Sequence, residues 1–573
     1  MNYFSIKRPL FIVPSKKCYE NFEKIDKFMN LLENSGVWKI FKIVKLKDKK
    51  CKGRKGYNPY NLFAAVIYCF AKYDATLRDI EDKCINDLGA IYIMEGNTPD
   101  YSTIGNFINT YIIPYQHEIF ACINNEIIRE LSLNVSNIFV DGTKMEANAN
   151  KYKYIWKPTK YHVKLDIRIK QLLDKIGYGY SKKLITSYEF NTILKHYSID
   201  NSIDVDNIPN ERGKRLTEEQ KNYKLGYEYL IKLVEYEEKE RICGENRNSY
   251  FKTDHDATAM VLKKDYYSKL SHDFHAGYNV QVMVSSLLIL MYGVFQDRND
   301  INTLIPMNEL YYKYYGKYPI NECDDAGYGN YNNYKYMKEH GINNYIKFQN
   351  WEGESSGKNP QLFYTFDDGV MCLNTNIGEE IEFDYNHRRK NKDGILYKFT
   401  GCSNCNYSYF CKAKLKDENK NTNFRYFELI PEHELLKEEA RNNLLSPKGI
   451  ELRINRSIQV EGTFGQIKNN MNYDRIRRRG LNKVSGEIML MCLGVNIRRY
   501  LASLEKNKFK SNCWDTPSNL KKEKKCKVKK ETVKKTNYLV SQQPLYCRIN
   551  SKTIIIEKPI KKNPAIRDEF LLL

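Results

Sequence analysis

The sequence predicts a multi-domain protein of the α/β class, and three observations lead to this prediction. The first 125 residues have the apolar spacing of helices, with capping residues at several helix starts. Strand and helix patterns then alternate over residues 126–350 and return at residue 446. A length of 573 residues, of which 42% are hydrophobic, is enough for three or four structural units with a sizeable core.

Helices account for the first 125 residues in this prediction. Pro59 opens an apolar run, YNLFAAVIYCFAKY, that is typical of a buried helix with proline in its first turn. Thr76 is expected to cap a second helix, with Asp79 completing a capping box. Ser102 is expected to cap a third helix. The two capped helices form either a helix-turn-helix that reads DNA or a plain packing unit.

The predicted strands begin at NIFV, residues 137–140, which end directly before Asp141. Residues 277–295 predict an antiparallel hairpin, broken at Ser285 and Ser286. The elements predicted next are a helix over residues 302–315, a strand at YPINEC, a helix ending at Gly341 and a strand at NYIKF. Helical spacing resumes near residue 450 and continues, with a break near Gly480, to about residue 504.

Two insertions and a tail are predicted around this pattern. The segment of about 150–272 is polar and charged, and residues 351–445 are rich in Gly, Asn and Asp with three close cysteines. The core therefore divides into residues 126–350 and 446–504. Residues 505–573 are lysine-rich at their start and predict a basic, disordered tail.

The composition favours a polyanionic partner and a reducing compartment. The net charge of +22 fits binding to nucleic acid, although AT-rich codons would also supply many lysines. The 15 cysteines and the lack of a signal-peptide pattern predict reduced thiols in the cytoplasm. The most apolar run, residues 280–295, is shorter than a membrane span, so no membrane segment is expected.

Three acidic motifs carry the candidate chemistry. Asp141 follows a strand and precedes a glycine, and either Asp324 or Asp325 follows a second strand. Glu461 and Lys468 fall on one face of a helix, with a glycine between them. A carboxylate on such a helix can bind metal while the ammonium neutralises a phosphate. Each motif taken alone fits a polar turn or a surface ion pair better than a catalytic role.

Together the motifs resemble the acidic blocks of DDE insertion-sequence transposases, in particular the insertion sequence 1182 family. The segments that carry this resemblance are DGTKMEANANKYKYIWK, DAGYGNYNNYKYMKEHGI and RSIQVEGTFGQIKNNMNYDRIRRRG, with FKTDHDATAM and HAGYNVQVMV between them. YNPYNLFAAVIYCF, TLRDIEDKC and TPDYSTIGNF are similar to the helical domain that precedes the catalytic one. The resemblance covers most of residues 55–500. It implies an RNase H-like catalytic core with two insertions, preceded by an all-helical N-terminal domain.

The resemblance also implies roles for single residues. The implied catalytic and metal-binding residues are Asp141, Asp325 and Glu461, with Asp324 as the alternative second aspartate. Lys468 matches the lysine of the related Tyr-Arg-Glu-Lys signature. Arg456 lies near the signature's arginine but one residue too far from the glutamate, and no tyrosine precedes it at the expected spacing.

The implied activity is DNA transposition with Mg²⁺ or Mn²⁺, by strand cleavage at the element's ends and strand transfer into target DNA. The implied partners are the terminal inverted repeats, the target DNA and a second copy of the chain in a synaptic dimer. The implied location is the bacterial cytoplasm, at the nucleoid. The alternatives are a nuclease of the same fold that does not join strands, and an inactive DNA-binding relic.

Further sites are predicted with an ordinary alternative beside each. Cys372, Cys402, Cys405 and Cys411 have the residue types of a structural Zn²⁺ site, or are reduced thiols in a small insertion. Arg475, Arg477, Arg478 and Arg479 predict phosphate contacts, or a solvated helix end. Trp156 predicts stacking on a DNA base, or an interface aromatic. His255, Asp256, His272 and His275 are interpreted as ordinary polar residues rather than as a metal site.

Overall fold

The computed structural model describes residues 16–506 apart from several gaps. The gaps are residues 44–55, 74–75, 182–183, 207, 209–214, 246, 263–273, 357–362, 367–368, 373, 375–376, 382–393, 407–410, 412–423, 472 and 474. The predicted basic tail from residue 507 onward and His272 lie outside the described residues.

Helices make up the described part of the first 131 residues. They are α1 Lys16–Asn34, α2 Trp38–Ile43, α3 Pro59–Lys72, α4 Leu77–Asn86, α5 Leu88–Ile93, α6 Tyr101–Phe107 and α7 Gln116–Leu131. The predicted start of α3 at Pro59 and the capping box at the start of α4 are confirmed. The predicted cap at Ser102 is wrong. Asp100 caps α6 instead, because its carboxylate accepts the amides of Ser102 and Thr103 at 2.8 and 2.9 Å.

A mixed sheet follows these helices, with a helical segment between its first strands. The elements are β1 Asn137–Glu146, β2 Tyr154–Trp156, α8 Thr159–Lys175, α9 Ser187–Asp200, α10 Glu218–Cys243, β3 Ser249–Phe251, β4 Thr258–Val261, β5 Phe274–Ser285, β6 Leu288–Phe295, α11 Leu304–Tyr315, β7 Asn321–Glu322, α12 Tyr331–Glu339 and β8 Asn343–Asn344. The predicted hairpin is confirmed as β5 and β6. The predicted strand NYIKF is wrong, because β8 contains only residues before its tyrosine.

The last part of the chain adds small sheets and the closing helices. Its elements are α13 Trp351–Ser355, β9 Phe363–Phe366, β10 Gly369–Cys372, β11 Glu379–Ile381, β12 Ile395–Thr400, β13 Phe424–Leu429, α14 Pro431–Leu445, α15 Pro447–Arg456, α16 Gly462–Gly465 and α17 Leu481–Lys506. Two π-helical turns, Ser457–Glu461 and Gln466–Asn470, flank α16. The continuous α-helix predicted around Glu461 is therefore broken twice by wider turns.

Strand β1 lies at the centre of the mixed sheet. It pairs antiparallel with β5 from Phe139, opposite Val284, to Glu146, opposite Gly277. β4 and β6 pair antiparallel with the other edge of β5. β7 is parallel to β1, and β8 is parallel to β7. The sheet thus has an antiparallel half and a parallel half that meet at β1.

The position of Asp141 in this sheet corrects the prediction from sequence. β1 does not end before Asp141 but continues to Glu146, because β5 provides a hydrogen-bonding partner along that whole length. Asp141 therefore lies inside a central strand. A strand interior fixes its side-chain direction more firmly than a turn would.

One hydrophobic core joins the N-terminal helices to the sheet. Helix α17 packs against α3, α7 and β6, and buried side chains of all four belong to this core. Helices α8, α9 and α10 have a separate small core, and so do the strands around Val370 and Phe399. Nowhere in the described ranges is a helix both long and apolar enough to span a bilayer.

Candidate active site

The site is built on the two faces of β1. Asp141 and Thr143 lie on one face, because successive side chains of a strand point to opposite sides. Gly142 lies between them and faces the other way. A Cβ on Gly142 would come within 2.0 Å of Nε2 of Gln281, so only glycine allows this close packing. The glycine of the Asp-Gly motif is thus required by the side chain beneath it.

Strand β7 brings the second acidic motif beside β1. After the short ladder, the amide of Cys323 donates to the carbonyl of Ile138 at 3.0 Å. Oδ1 of Asp324 then accepts the amide of Val140 at 2.5 Å, and this aspartate is only 2% exposed. The chain leaves the sheet at Asp325, whose side chain is 56% exposed. Asp324 therefore holds the two strands together, while Asp325 faces outward next to Asp141.

Arg456 connects the two aspartates. Its guanidinium lies 3.9 Å from Oδ2 of Asp141 and 3.9 Å from Oδ1 of Asp325. It is 19% exposed at the end of α15, five residues before Glu461. Two carboxylates from different strands thus converge on one positive charge.

The pKa of Asp141 is raised to about 6. Burial is the largest cause, and the charges of Asp325 and Asp300 add to it. A hydrogen bond from the amide of Gly142 and the charge of Arg456 oppose the rise. A carboxylate placed among other carboxylates in a partly buried position is one that a bound cation would stabilise.

The segment that carries Glu461 is held against the same face of β1. Lys468 donates to Oγ1 of Thr143 at 2.5 Å, and the π-helical turn Ser457–Glu461 packs on β1 and β5. Arg456 and Lys468 thus fix the chain on both sides of Glu461. Glu461 itself is exposed. In the described part of the chain, no three His, Cys, Asp or Glu side chains are arranged to hold one metal ion.

Four residues near Asp141 were not singled out from the sequence. Asp300 accepts from Asn279 at 2.8 Å and from Gln281 at 2.9 Å, and Tyr328 donates to Gln281. All of them lie on the Gly142 side of the sheet. The only signal in the sequence is the position of polar Asn279 and Gln281 in the apolar strand β5, where each is fully buried.

A buried pair of carboxyl groups lies behind Asp325. Burial raises the pKa of Asp324 and of Glu322, and the two groups are close enough to interact. Asn308 donates to both oxygens of Glu322, at 3.1 and 3.0 Å. The second oxygen of Asp324 has no hydrogen-bond partner among the described residues. This pair supports the strand end rather than presenting a carboxylate to solvent.

The arginines after Glu461 lie at the far end of β1. Arg475 bridges to Glu146, and the amide of Ile476 donates to the carbonyl of Glu146 at 2.9 Å. Arg478 donates to Asn109 at 2.6 Å, and Arg479 to the carbonyl of Asn148 at 2.8 Å. Arg477 lies with its guanidinium over the ring of Tyr473. The arginine segment is therefore docked on the sheet and on the N-terminal helices, and does not touch the two aspartates through these contacts.

Trp156 lies outside this group of residues. It is 62% exposed on β2, which pairs only with β3 in a separate two-stranded sheet. Its ring packs edge-on against Tyr154, with centroids 5.6 Å apart.

The four cysteines predicted for zinc come near one another. Cys372 and Cys402 pack against the same small core, and burial followed by the neighbouring thiols of Cys411, Cys372 and Cys405 raises the pKa of Cys402. The described residues contain no arranged metal-ligand group here either.

The histidines and Asp256 have separate structural roles. Asp256 accepts the amide of Leu481 at 2.8 Å, at the start of α17. His275 is buried beside Glu146, and His255 packs on Tyr250.

A comparison with protein families bears on these residues. The family model described as a transposase DDE domain matches residues 372–501. This match supports a DDE-type transposase, which implies a DNA partner and a nuclease or transferase activity. The matched part contains Glu461, Arg456, Lys468 and the arginine segment, and it does not reach Asp141 or Asp325. No curated protein sequence and no solved structure matches the chain.

Proposed function

We propose that the protein is a transposase that cleaves DNA at the ends of its element and joins those ends to target DNA. The observation that carries this proposal is the convergence of Asp141 and Asp325 on one guanidinium, 3.9 Å from each. The helical segment with Glu461 is fixed beside them, within the stretch that matches the transposase family model.

The proposed core is RNase H-like. Three antiparallel strands β6, β5 and β1, followed by parallel β7 and β8, fit that assignment. The relation to the insertion sequence 1182 family is part of the same proposal. It rests on the acidic and linking segments quoted from the sequence.

Carboxylates supply the proposed metal site, and the donor set fits hard divalent cations. Asp141, Asp325 and Glu461 would hold Mg²⁺ or Mn²⁺, which activates an attacking oxygen and stabilises the leaving oxygen in phosphodiester chemistry. The two aspartates already face a common cation, the guanidinium of Arg456. Glu461 stands five residues further along the same chain segment.

The protein's own side chains then orient and neutralise the DNA. Arg456 sets the direction of both aspartates, and Lys468 places an ammonium beside Thr143 on the Asp141 face. A phosphate brought to that face would meet two positive charges. The arginine segment and Trp156 are proposed to contact DNA outside this centre, in a synaptic dimer at the bacterial nucleoid.

Zinc binding by the four cysteines is a separate proposal. It is supported by the thiols of Cys411, Cys372 and Cys405, which contribute to the raised pKa of Cys402. Metal analysis of the purified protein tests it: one zinc per chain, lost in Cys402→Ser, is expected, and zinc-free folded protein would refute it.

The direct test of function is cleavage and joining of a labelled duplex that carries the element's ends, with Mg²⁺. Asp141→Ala, Asp325→Ala and Glu461→Ala are each expected to abolish both reactions and to keep DNA binding. The matched control is Glu218→Ala, which removes an exposed acid from α10. Cleavage without joining would favour the nuclease alternative, and binding without cleavage by the parent would favour the inactive relic.

A further inference from the structure

A cleft lies between the N-terminal helices and the arginine segment, residues 475–479. Its volume is about 420 Å³. The residues that line it are Leu77, Gly105, Asn109, Asn148, Arg477, Arg478, Arg479 and Lys483. The first three belong to α4, α6 and the π-helical turn Ile108–Ile112, so the cleft is lined by two parts of the chain that are far apart in sequence.

Positive charge dominates this cleft. Four of the eight described lining residues are cationic, two are amides, and none of the eight is acidic. Glu487 is 4% exposed and accepts the backbone amides of Arg477 and Arg478 beneath the cleft, at 3.1 and 2.8 Å.

The surroundings of the Arg478 guanidinium favour the binding of an anion. The guanidinium donates to the neutral amide oxygen of Asn109 at 2.6 Å. Burial lowers the pKa of Arg478 although Glu487 and Tyr473 oppose that change. A half-buried cation whose side-chain hydrogen-bond partner is neutral is stabilised when a phosphate oxygen enters beside it.

We propose that this cleft binds one backbone phosphate of the DNA substrate and thereby ties the N-terminal helices to the catalytic sheet. The inference rests on the proposed function for the identity of the polyanion. Arg479 donates to the backbone carbonyl of Asn148 at 2.8 Å, and the side-chain amide of Asn148 donates to the backbone carbonyl of Arg477 at 2.7 Å. An anion in the cleft would therefore contact a segment already fastened to the end of β1.

The cleft lies away from the two aspartates. β1 runs five residues from Asp141 to Glu146, where Arg475 is attached, and at about 3.3 Å per residue this is about 16 Å. A phosphate bound in the cleft is therefore a different phosphate from the one at the cleaved bond.

The test measures the salt dependence of DNA binding without divalent metal, so that catalysis plays no part. Fluorescence anisotropy with a labelled 30-base-pair duplex compares Arg478→Gln and Lys483→Gln with the full-length parent. Each lost phosphate contact is expected to reduce the slope of log K against log salt by about 0.9. The matched control is Arg241→Gln, which removes an exposed arginine paired with Glu238 on α10. Ethylation interference then locates the phosphate.

The outcomes of this experiment test the phosphate site separately from the proposed function. Unchanged slopes in the cleft variants, with native circular dichroism, would overturn the inference while leaving the cleavage assay free to succeed. Reduced slopes with no cleavage by the parent would sustain the phosphate site and sink the proposed function. Calorimetry with inorganic phosphate separates the two phosphate sources: saturation at micromolar concentration would replace DNA by free phosphate as the occupant.

Discussion

Asp324 and Asp325 are neighbours in sequence with opposite surroundings, and substituting each one separates their roles. Asp324 is buried and accepts the amide of Val140, whereas Asp325 is 56% exposed and faces Arg456. Asp324→Ala is expected to weaken folding. Asp325→Ala is expected to spare folding and abolish cleavage.

The size of each effect follows from these contacts. Asp324→Ala leaves the buried amide of Val140 without an acceptor, which costs about 1–3 kcal/mol. Asp324→Asn keeps an acceptor oxygen and removes the repulsion from Glu322, so its stability is expected to equal or exceed that of the parent. Asp325→Ala changes an exposed side chain and is expected to alter stability by less than about 0.5 kcal/mol.

Urea unfolding followed by circular dichroism measures the stabilities, and Mg²⁺-dependent cleavage of a labelled duplex measures function. Asp324→Asn is the decisive variant, because it keeps the strand contact and removes the charge. If this variant still cleaves DNA, Asp324 has a structural role and is not a catalytic residue.

Two results would refute this reasoning. Loss of cleavage in a fully folded Asp324→Asn protein would make Asp324 the second catalytic aspartate. A loss of 2 kcal/mol or more in Asp325→Ala, on the scale of a lost buried contact, would mean that its outward position is wrong.

Three further predictions follow from other contacts. Gly142→Ala is expected to cost about 1–3 kcal/mol in urea unfolding, because its Cβ would meet Gln281 at 2.0 Å. Gly465→Ala is the control, since its Cβ meets nothing within 4 Å, and an equal loss there would contradict the packing argument. Lys468→Met is expected to reduce cleavage about 10²-fold, because it removes both the ammonium and the bond to Thr143 that holds the segment of Glu461, and unchanged cleavage would remove its ammonium from the reaction. Burial lowers the pKa of His117 to about 4, so the folded state resists its protonation. Stability is therefore unaffected by His117 above pH 6.5 and falls as the pH drops toward 4, by up to about 3 kcal/mol. His117→Phe should remove that part of the pH dependence, and parallel stability curves for the two proteins would show that the histidine does not contribute.

Local signals predicted much of the fold. Pro59 and the Thr76 capping box mark helix starts through contacts within four residues, and the structure has both. The hairpin of β5 and β6 follows from two apolar runs separated by a polar turn. Such features depend on neighbours in the chain, which a single sequence displays.

Long-range pairing accounts for the errors at the site. β1 passes through Asp141 because β5, more than 130 residues later, pairs with it as far as Glu146. Asp300 and Gln281 approach Gly142 only through the folded sheet. The sequence likewise could not predict that Asp141 and Asp325 converge on Arg456, because Arg456 departs from the expected spacing to Glu461.

Different backbone elements hold the three acidic residues in place. The ladder to β5 fixes Asp141, and the bond from the Val140 amide to Asp324 fixes the start of the loop at Asp325. Glu461 is carried by a π-helical turn, a rare form that occurs mostly as a single turn within an α-helix.

Side chains on either side of Glu461 anchor that turn. Gln459 accepts the amide of Leu287 at 3.0 Å, and Arg499 donates to Thr463 at 3.0 Å. These bonds tie the turn to the β5–β6 hairpin and to α17. Because the turn is anchored through its flanks while Glu461 is exposed, the glutamate is the acid whose position depends most on the helices. Substitutions at Gln459 or Arg499 should therefore displace the carboxylate of Glu461 before they displace the carboxylates of the two aspartates.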